Sequence, residues 1–472
     1  MKIQSRYLKL GVGTGEPQEM TLCMNGVPTY SFRLDYKPEA PEFFMYADLH
    51  PWMGKEISAE YGGNEITELI LVEKPENSIG EDMRPLIHFT SPWGWHNDPN
   101  GLSYYDGKYR LFYQHNPFGE KWGNMHWGYA ESEDLVKWSW VKDALYPDRI
   151  DATMYSGSAV VDTHNTAGFG KGAHVLIYTC ADNGDAGYSQ NLAWSIDGLN
   201  YHKYEGNPVI GNLAKGNRDP KVIWHEKSGK WVLALYLIRE EYAIFTSKNL
   251  KDWTEIQRLT FPNANECPDF FPLVTPEGEE KWVFWEAGNK YLLGDFDGNR
   301  FVFDDIEREI SPREASPRLY AAQTFYNDPK GRRIILFWET IQFAGAPFTS
   351  QMSIPCVLSL VRDDKGILKL KASLAEEYTD RRTALTKELP IWFESDLLNP
   401  VEVDGHIFRA ANGGIAVDDK EYKTKSTRVS VLIDKMSAEI FADDGTMIHL
   451  YEGKFALSGE IKGAEKAYSI KL

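Results

Sequence analysis

The chain has 472 residues, of which 42% are hydrophobic, and its formal net charge at pH 7 is −18. This length can bury the core of one large domain or of two ordinary ones. The acidic balance argues against a nucleic-acid partner, since phosphate binding requires a basic face, and no apolar run approaches the length of a membrane span.

The four cysteines, Cys23, Cys180, Cys267 and Cys356, are scattered along the chain. Their spacing fits neither a metal-ligand motif nor a disulfide framework, so each is expected to be a small buried residue. The first ten residues lack the apolar core of a signal peptide. We therefore expect a cytoplasmic protein, and a secreted mature form stays open.

Residues 1–82 are expected to form an N-terminal β module. Proline and glycine punctuate its short predicted strands, which are Met20–Met24, Thr29–Leu34, Phe43–Asp48 and Thr67–Val72. No catalytic set of side chains is visible in this segment, so a structural role is favoured. Because so few residues bury little core alone, we expect the two chain ends to pack together or to dock on the middle region.

Residues 83–374 contain a repeat that predicts a five-bladed β-propeller catalytic domain. A strand rich in β-branched and aromatic residues recurs at Lys108–His115, Ala173–Cys180, Lys230–Leu237, Lys281–Ala287 and Arg332–Glu339. A second segment precedes each copy, at Pro99–Tyr105, Ser156–Val161, Asp219–Trp224, Pro268–Val274 and Ala322–Asn327. Hairpin ends of similar sequence follow several copies, and no helix-period stretch of useful length intervenes.

Residues 375–472 predict a C-terminal β-sandwich, so the expected fold class is all-β. The charged stretch Leu374–Leu385 is linker-like or briefly helical. Turn signals separate the strands expected after it, which are Gly405–Ala410, Arg428–Asp434, Ala438–Ala442 and Thr446–Tyr451.

Carboxylates stand at the starts of three of the five preceding segments. In a propeller the innermost strands run beside a central channel, where the residues at one end of each strand converge. The first segment begins near Asp98, the third at Asp219 and the fourth near Glu266. We therefore predict that these three carboxylates meet, beside aromatic walls such as Trp93 and Trp95.

Carboxylates in an aromatic pocket indicate glycoside hydrolysis. Cleaving an acetal requires an acid on the leaving oxygen and a carboxylate for the cation-like centre. Glu266 is the better acid, and Asp98, in the turn of W-G-W-H-N-D-P-N-G, is the better nucleophile. Arg218 is adjacent to Asp219 in sequence, so Asp219 should stay ionised and hydrogen-bond substrate hydroxyls.

Three motifs together resemble glycoside hydrolase family 32, the invertases, inulinases and levanases. They are W-G-W-H-N-D-P-N-G, the R-D-P of Arg218–Pro220 and the E-C-P of Glu266–Pro268, and Tyr155–Ser158 resembles a further family motif. The resemblance implies a five-bladed propeller with a C-terminal β-sandwich and retaining cleavage of β-fructofuranosides without a metal or other cofactor. It implies that Asp98 is the nucleophile, Glu266 the acid/base and Asp219 the transition-state stabiliser. The implied substrate-binding residues are Trp95, Asn97, Gln114, Trp122, Tyr155, Ser156, Arg218 and Trp338.

Some residues depart from the family pattern or admit a plainer interpretation. His96 and Cys356 replace residues common in the family, and the N-terminal segment is extra. His96 and His126 are expected to be structural rather than metal ligands. No histidine partner is evident for Cys267, so packing and modulation of Glu266 are expected for it rather than nucleophilic attack.

The sequence is compatible with four functions. The leading one is a β-fructosidase acting on sucrose, fructo-oligosaccharides or fructan. Fructosyl transfer could follow from the same covalent intermediate, and a fructan-binding protein could use a disabled propeller. An inverting furanosidase acting on arabinose polymers is the fourth, and the N-D-P-N-G and E-C-P motifs argue against it. Exo or endo action, β-2,1 or β-2,6 linkage and the oligomeric state stay open.

Overall fold

The computed structural model describes residues 1–76, 80–147, 150, 152–182, 187–314, 316–386, 388–455 and 461–472. Within these ranges the protein is all-β, with strands arranged in nine sheets. The helical segments among the described residues are α1 (Glu376–Thr379) and two 3₁₀ turns, His50–Trp52 and Asp443–Gly445. No helix in the described ranges is long and apolar enough to cross a membrane.

The first 72 residues form two small sheets. Their strands are β1 (Tyr7–Val12), β2 (Gln18–Met24), β3 (Val27–Leu34), β4 (Phe43–Asp48), β5 (Ile57–Tyr61), β6 (Asn64–Ile66) and β7 (Ile70–Val72). One sheet has the order β4-β1-β7 and the other β3-β2-β5-β6. Apolar residues of both sheets share one core, which also takes in Trp93 and Phe118 from the region that follows.

Five sheets of mainly antiparallel strands follow in chain order. The first three comprise β8 (Gly94–Tyr105), β9 (Lys108–Asn116), β10 (His126–Ser132) and β11 (Ser139–Leu145), then β12 (Ala152–Asp162), β13 (Ala173–Asp182), β14 (Tyr188–Ser195) and β15 (His202–Lys203), then β16 (Arg218–His225), β17 (Lys230–Ile238), β18 (Glu241–Ser247) and β19 (Trp253–Thr260). The fourth comprises β20 (Asp269–Val274), β21 (Glu280–Trp285), β22 (Lys290–Phe296), β23 (Phe301–Phe303) and β24 (Arg308–Glu309). The last stretch supplies β25 (Leu319–Thr324), β26 (Arg333–Glu339), β27 (Phe348–Thr349), β28 (Gln351–Met352), β29 (Cys356–Arg362) and β30 (Leu368–Leu374). Each predicted copy of the repeated strand lies in a strand, with ends shifted by a few residues at most.

The hairpin ends of the repeat share one local turn, in which an Asp or Asn side chain accepts backbone hydrogen bonds. In the first sheet, Asp134 Oδ1 accepts hydrogen bonds from the backbone N–H groups of Val136 and Lys137. Asp197 and Asn249 accept equivalent backbone hydrogen bonds in the second and third sheets. Asp and Asn favour such turns because their short side chains reach backbone donors two or three residues ahead.

The first strands of the central sheets lie side by side in four of the five neighbouring pairs. β8 lies beside β12, β12 beside β16, β16 beside β20, and β25 beside β8. The first and last sheets are also joined by backbone hydrogen bonds between Tyr326 and both Leu102 and Tyr104. β27 then pairs with the start of β8 in parallel, through Phe348 and Thr349. The starts of these first strands are therefore brought to one region of the molecule.

The C-terminal residues form two further sheets with a common core. The strands are β31 (Arg382–Ala384), β32 (Ile391–Asp396), β33 (Val401–Val403), β34 (His406–Ala411), β35 (Gly414–Val417), β36 (Lys420–Lys423), β37 (Arg428–Ile433), β38 (Ser437–Ala442), β39 (Met447–Glu452), β40 (Ile461–Lys462) and β41 (Lys466–Ile470). The sheet orders are β31-β41-β32-β37-β38-β39 and β36-β35-β34-β33-β40. The core contains Phe393 and Ile440 from the first sheet and Phe408 and Ile415 from the second.

Both ends of the chain pack on the central sheets. The ring of Phe32 stacks on Phe118 with a centroid distance of 3.6 Å, and Tyr30 Oη lies 2.6 Å from His126 Nε2. At the other end, the backbone N–H of Ile448 donates to the carbonyl of Ile310 over 2.8 Å. The sequence left open whether the two chain ends pack on each other or dock on the middle region, and these contacts match the second alternative. The domain boundaries themselves stay a prediction.

Candidate active site

A β-bulge lies at the start of the first strand in four of the five central sheets. The register of β8 shifts between His96 and Pro99, and that of β16 shifts between Arg218 and Lys221. Equivalent shifts occur in β12 and β25. A bulge breaks the alternation of side chains along a strand and turns extra residues toward one place. A proline follows Asp98, and another follows Asp219. Because proline has no backbone N–H to donate to the hydrogen bonds between strands, both positions suit a bulge.

Side chains at or beside these starts form a closed ring of contacts. In order around the ring they are Trp95, Asn97, Asp98, Cys267, Asp219, Arg218, Glu266, Tyr320 and Trp338, with Trp338 returning to Trp95. The three carboxylates that the sequence singled out therefore share one site, although they are separated in sequence by 121 and 47 residues (219 − 98 and 266 − 219).

Asp98 is half-buried and accepts hydrogen bonds on both carboxylate oxygens. Ser156 Oγ donates to Oδ2 over 2.6 Å, and Asn97 Nδ2 donates to Oδ1 over 3.0 Å. Burial raises the pKa of Asp98, the hydrogen bonds from Ser156 and Asn97 lower it, and the Glu266 carboxylate raises it. Two donors aimed at the carboxylate hold its orientation and favour the ionised form that a nucleophile requires.

A glycine is required beside Ser156 for the same alignment. A Cβ on Gly157 would clash with the backbone oxygen of Ile177 on the neighbouring strand. This close approach explains the glycine within the Tyr155–Ser158 motif.

Asp219 is 6% exposed and its backbone has a positive φ of 61°. The backbone N–H of Cys267 donates to its Oδ2 over 3.1 Å, and its own N–H donates to Thr179 Oγ1 over 3.0 Å. Burial raises the pKa of Asp219 to about 7, the Arg218 guanidinium opposes the rise, and the carboxylates of Glu266 and Asp98 add to it. Burial and the neighbouring carboxylates therefore disfavour the ionised form of Asp219 in spite of Arg218, which is contrary to the expectation from the sequence that Asp219 simply stays ionised.

Glu266 lies in the loop immediately before β20 and is bound on both oxygens. Tyr320 Oη donates to Oε1 over 3.0 Å, and Arg218 Nε donates to Oε2 over 3.1 Å. Its backbone carbonyl accepts from the N–H of Ala287 over 2.9 Å. The Glu266 side chain is 29% exposed, so a ligand can reach it while both hydrogen bonds fix its direction.

Cys267 joins two of the carboxylates and has a positive φ of 50°. Its Sγ lies 3.6 Å from Asp98 Oδ2 and 3.5 Å from Asp219 Oδ2. Burial and the surrounding carboxylates raise the pKa of the Cys267 thiol well above its usual range. The sulfur therefore stays a protonated donor toward carboxylates, which agrees with the expected packing role and not with a thiolate nucleophile. Its contacts are to Asp98 and Asp219, and the expected modulation of Glu266 stays a prediction.

Aromatic side chains border the carboxylates on two sides. The rings of Trp95 and Trp338 are 5.8 Å apart, and Trp338 is 6.4 Å from Tyr320. On another side the indole of Trp122, which is 55% exposed, lies 5.7 Å from the ring of Tyr155. Such faces suit the apolar side of a sugar ring.

Gln114 is a predicted site residue that these contacts do not join to the carboxylates, and the contact of Trp122 with Tyr155 does not reach them either. Gln114 is buried, and its Nε2 donates to the carbonyl of Met154 over 3.0 Å. Its place in substrate binding stays a prediction.

Sequence reasoning did not assign a role to Tyr320, which binds Glu266 directly. The signal was present, because Tyr320 stands at the start of the fifth preceding segment, in register with Asp98 and Asp219. Tyr236 was also missed: its ring stacks against the Arg218 guanidinium, with Arg218 Cζ 4.6 Å from the ring centroid. Nothing in the local sequence of Tyr236, on the second strand of its sheet, pointed to the site.

His96 and His126 are both buried, and their expected structural role stays a prediction. Burial lowers the pKa of His96 to about 3 and that of His126 to about 4, so both rings are neutral at physiological pH. His96 Nδ1 lies 3.3 Å from Ser91 Oγ. His126 uses Nδ1 for the carbonyl of Asn124 and Nε2 for Tyr30.

A family model described as "Glycosyl hydrolases family 32 N-terminal domain" matches residues 88–371. A levanase from Bacillus subtilis (strain 168) is 40% identical over 333 residues, which are 64% of this chain and 49% of that protein. An extracellular exo-inulinase from Meyerozyma guilliermondii is 36% identical over 285 residues, which are 55% of this chain and 54% of that protein. The chain thus spans about half the length of these curated relatives.

Solved structures with the same fold include an exo-inulinase from Aspergillus awamori. Its TM-score is 0.69 at 25% identity, covering 82% of this chain and 96% of that one. A fructofuranosidase from Schwanniomyces occidentalis, solved in complex with fructosylnystose, has a TM-score of 0.68 at 25% identity, covering 80% of this chain and 93% of that one.

Proposed function

The chain belongs to glycosyl hydrolase family 32, and we propose that it releases fructose from β-fructofuranosides by a retaining, double-displacement mechanism. The substrates are sucrose, fructo-oligosaccharides or fructans of the levan or inulin type. The observation that carries this proposal is the convergence of Asp98, Asp219 and Glu266 around Cys267 and Arg218. Retaining glycosidases need two such carboxylates, one as nucleophile and one as acid/base.

In the first step Asp98 attacks the anomeric carbon, C2, of the fructosyl unit. The bond from C2 to the glycosidic oxygen breaks, and Glu266 gives its proton to that oxygen as the leaving group departs. The hydrogen bonds from Ser156 and Asn97 hold the attacking carboxylate in one orientation, which lowers the entropic cost of reaching the transition state.

In the second step Glu266 accepts a proton from water as the water oxygen attacks C2. The ester bond between C2 and Asp98 breaks, and fructose leaves with its configuration retained. Asp219 stabilises both oxocarbenium-like transition states by accepting hydrogen bonds from fructosyl hydroxyls, which strengthen as positive charge develops. Arg218 holds Asp219 and Glu266 in place, since it contacts both carboxylates.

We also propose that the five central sheets are the blades of a five-bladed propeller spanning residues 83–374. The support is the chain order of the sheets and the side-by-side packing of their first strands. The C-terminal residues 375–472 would then be a β-sandwich, and residues 1–82 a module of their own. The core that the two N-terminal sheets share and the core that the two C-terminal sheets share support this division, and Trp93 and Phe118 of the central region pack into the first of them.

Hydrolysis is favoured over fructosyl transfer, because the relatives described above are named levanase and exo-inulinase. The test is chromatography of early products from sucrose, inulin and levan. Fructose should appear from at least one of them, and oligosaccharides longer than the substrate should stay minor at high sucrose. Absence of fructose from all three substrates would contradict the proposed function.

A further inference from the structure

A cleft of about 440 Å³ lies between the N-terminal sheets and the central region. One wall is the Gly13–Pro17 turn with Arg33 and Asp35, and the other is the loop Asn116–Met125. We call it the N-terminal cleft. Its volume falls in the range of about 300–1,000 Å³ that is usual for ligand sites. The family model begins at residue 88, so one wall lies outside the matched segment.

The two walls are fixed to each other by directional contacts. Asn124 clamps the backbone of Arg33 from both sides: its Oδ1 accepts from the Arg33 N–H and its Nδ2 donates to the Arg33 carbonyl, each over 2.8 Å. Beside this clamp Phe32 stacks on Phe118. Asp35 Oδ2 accepts from the backbone N–H of Gly15 over 2.8 Å, which holds the turn that forms the rim. The cleft is therefore a formed site with a defined width.

The N-terminal cleft opens beside the proposed catalytic site. Trp122 and Tyr155 line it, and Tyr155 directly precedes Ser156, whose hydroxyl binds Asp98. Trp122 is the most exposed large aromatic residue of the site, at 55%. A chain with its terminal fructosyl unit at Asp98 could continue across these two rings into the cleft.

The polar lining suits a neutral polyhydroxylated ligand. Glu16, Asp35 and Glu120 line the cleft together with Arg33 and Lys121. Carboxylates and guanidinium groups both hydrogen-bond vicinal hydroxyls, and a lining of mixed charge without a cationic excess does not select for an anion. Burial and the nearby Glu42 carboxylate raise the pKa of Glu120 to about 7, so near neutral pH its carboxyl group can donate as well as accept a hydrogen bond.

We propose that the N-terminal cleft binds the sugar units of an oligosaccharide or fructan that lie beyond the bond being cleaved. The N-terminal module thereby sets the preference for chain length. This inference rests on the proposed β-fructosidase function. Sucrose, whose leaving group is a single sugar, ends at Trp122 and Tyr155 and does not fill the cleft.

The test compares the substitution T14W with the matched control T29W. Thr14 is exposed on the rim of the cleft, and Thr29 is exposed on the same module but does not line the cleft. For each protein we would measure kcat/KM on sucrose and on inulin-type and levan-type oligosaccharides of three to six fructosyl units. T14W should lower the ratio of long-substrate to sucrose kcat/KM by about 5- to 20-fold, mainly through KM, and T29W should leave it unchanged.

A second pair of variants removes a carboxyl group that could hydrogen-bond the ligand and does not fill the cleft. E120A should lower the same ratio by about 2- to 10-fold, and E133A, at an exposed position outside the cleft, should not. Calorimetric titration of an Asp98→Asn protein with the same oligosaccharides gives a readout without turnover, and T14W should weaken that binding as well.

The outcomes separate the two proposals. A wild-type protein that hydrolyses the fructosides, with ratios unaltered by both T14W and E120A, would overturn the cleft assignment alone. A wild-type protein that releases no fructose from any of them would overturn the proposed function and the cleft with it. A ratio lowered equally by T14W and T29W would also contradict the assignment, because it would show a general effect of the module.

Discussion

Arg218 binds Glu266 through two donors on one oxygen: Nε lies 3.1 Å from Oε2, and Nη2 donates to the same atom. The guanidinium also lies 3.6 Å from Asp219 Oδ2. One cation thus orients two carboxylates that belong to different sheets. It is held in turn by the ring of Tyr236 and by the carbonyl of Gly216.

Arg218→Lys should separate this positioning from simple charge. A lysine keeps the cation but lacks the planar fork that reaches both carboxylates. Because Arg218 lowers the pKa of Asp219, weakening the contact should raise that pKa and move the acid limb of the kcat/KM profile to higher pH. We expect a loss of about 10- to 100-fold in kcat/KM at pH 6 and a smaller loss at pH 8. An equal loss at every pH would contradict the electrostatic part of this role.

Asp98→Ala should lower turnover by about 10⁴-fold or more while preserving the fold, as expected on removal of a nucleophile. The substitution removes one member of a set of repelling carboxylates, so the melting temperature should be equal to or above that of the wild type. Initial fructose release and thermal unfolding would be measured on the same preparation. Activity above about a hundredth of the wild-type value, with contamination excluded, would overturn the nucleophile assignment.

Glu266→Gln keeps the size of the side chain and removes its proton chemistry. Sucrose hydrolysis should fall by about 10²- to 10⁴-fold, the usual contribution of a general acid. An activated aryl β-fructofuranoside needs less protonation of its leaving group, so its first step should survive better and a fructosyl ester on Asp98 should accumulate. Mass spectrometry would detect that ester.

Azide provides the control for the same variant. It needs no general base, so it should restore turnover of the aryl substrate and give β-fructosyl azide with retained configuration. Equal losses on sucrose and the aryl substrate, or an inverted azide, would argue against the paired roles of Asp98 and Glu266.

Phe32→Ala should loosen the N-terminal module. The ring stacks on Phe118 and is 1% exposed. Its removal should lower the free energy of unfolding by about 3–5 kcal/mol, because the N-terminal module and the central region lose packing contacts. Denaturant unfolding would measure this cost, with Thr29→Ala as the exposed control on the same strand. A loss no greater than that of the control would show that the module is an independent appendage.

His88 should make the free energy of unfolding decrease at alkaline pH. Its Nδ1 lies 2.9 Å from Asp434 Oδ2 and its Nε2 lies 3.0 Å from Glu439 Oε1. The hydrogen bonds and charges of Asp434, Glu439 and the nearby Glu339 raise the pKa of His88 well above 6.5 against its burial. Since the folded-state pKa exceeds the unfolded one, this stabilisation is complete below about pH 6.5 and is lost as pH rises through the folded pKa.

His88→Gln is the corresponding variant. It should lower the free energy of unfolding at pH 6 by about 3–5 kcal/mol, because buried carboxylates lose their counter-charge, and it should flatten the decline at high pH. His202→Gln, at an exposed position, serves as the control. An alkaline decline as steep in His88→Gln as in the wild type would assign that decline to another group.

The sequence by itself determined the all-β class, the repeated strands and the identity of the three carboxylates. These are local properties: alternation and β-branched content mark Lys108–His115 and its copies, and proline and turn residues mark Asp98 and Asp219. The repeat also gave equivalence between sheets, from which the meeting of Asp98, Asp219 and Glu266 followed. The same equivalence contained Tyr320, whose contact with Glu266 was not foreseen.

Only the tertiary structure decided how these residues are held and what borders them. The β-bulges that aim Asp98 and Asp219 depend on register between strands, and the His88–Asp434 contact joins residues 346 positions apart. The hydrogen bonding of Asn124 to Arg33 likewise joins residues 91 positions apart, and no local sequence pattern predicts the cleft beside it. Such contacts depend on how whole sheets pack, and the packing is set by the summed burial of many side chains, which a local stretch of sequence does not encode.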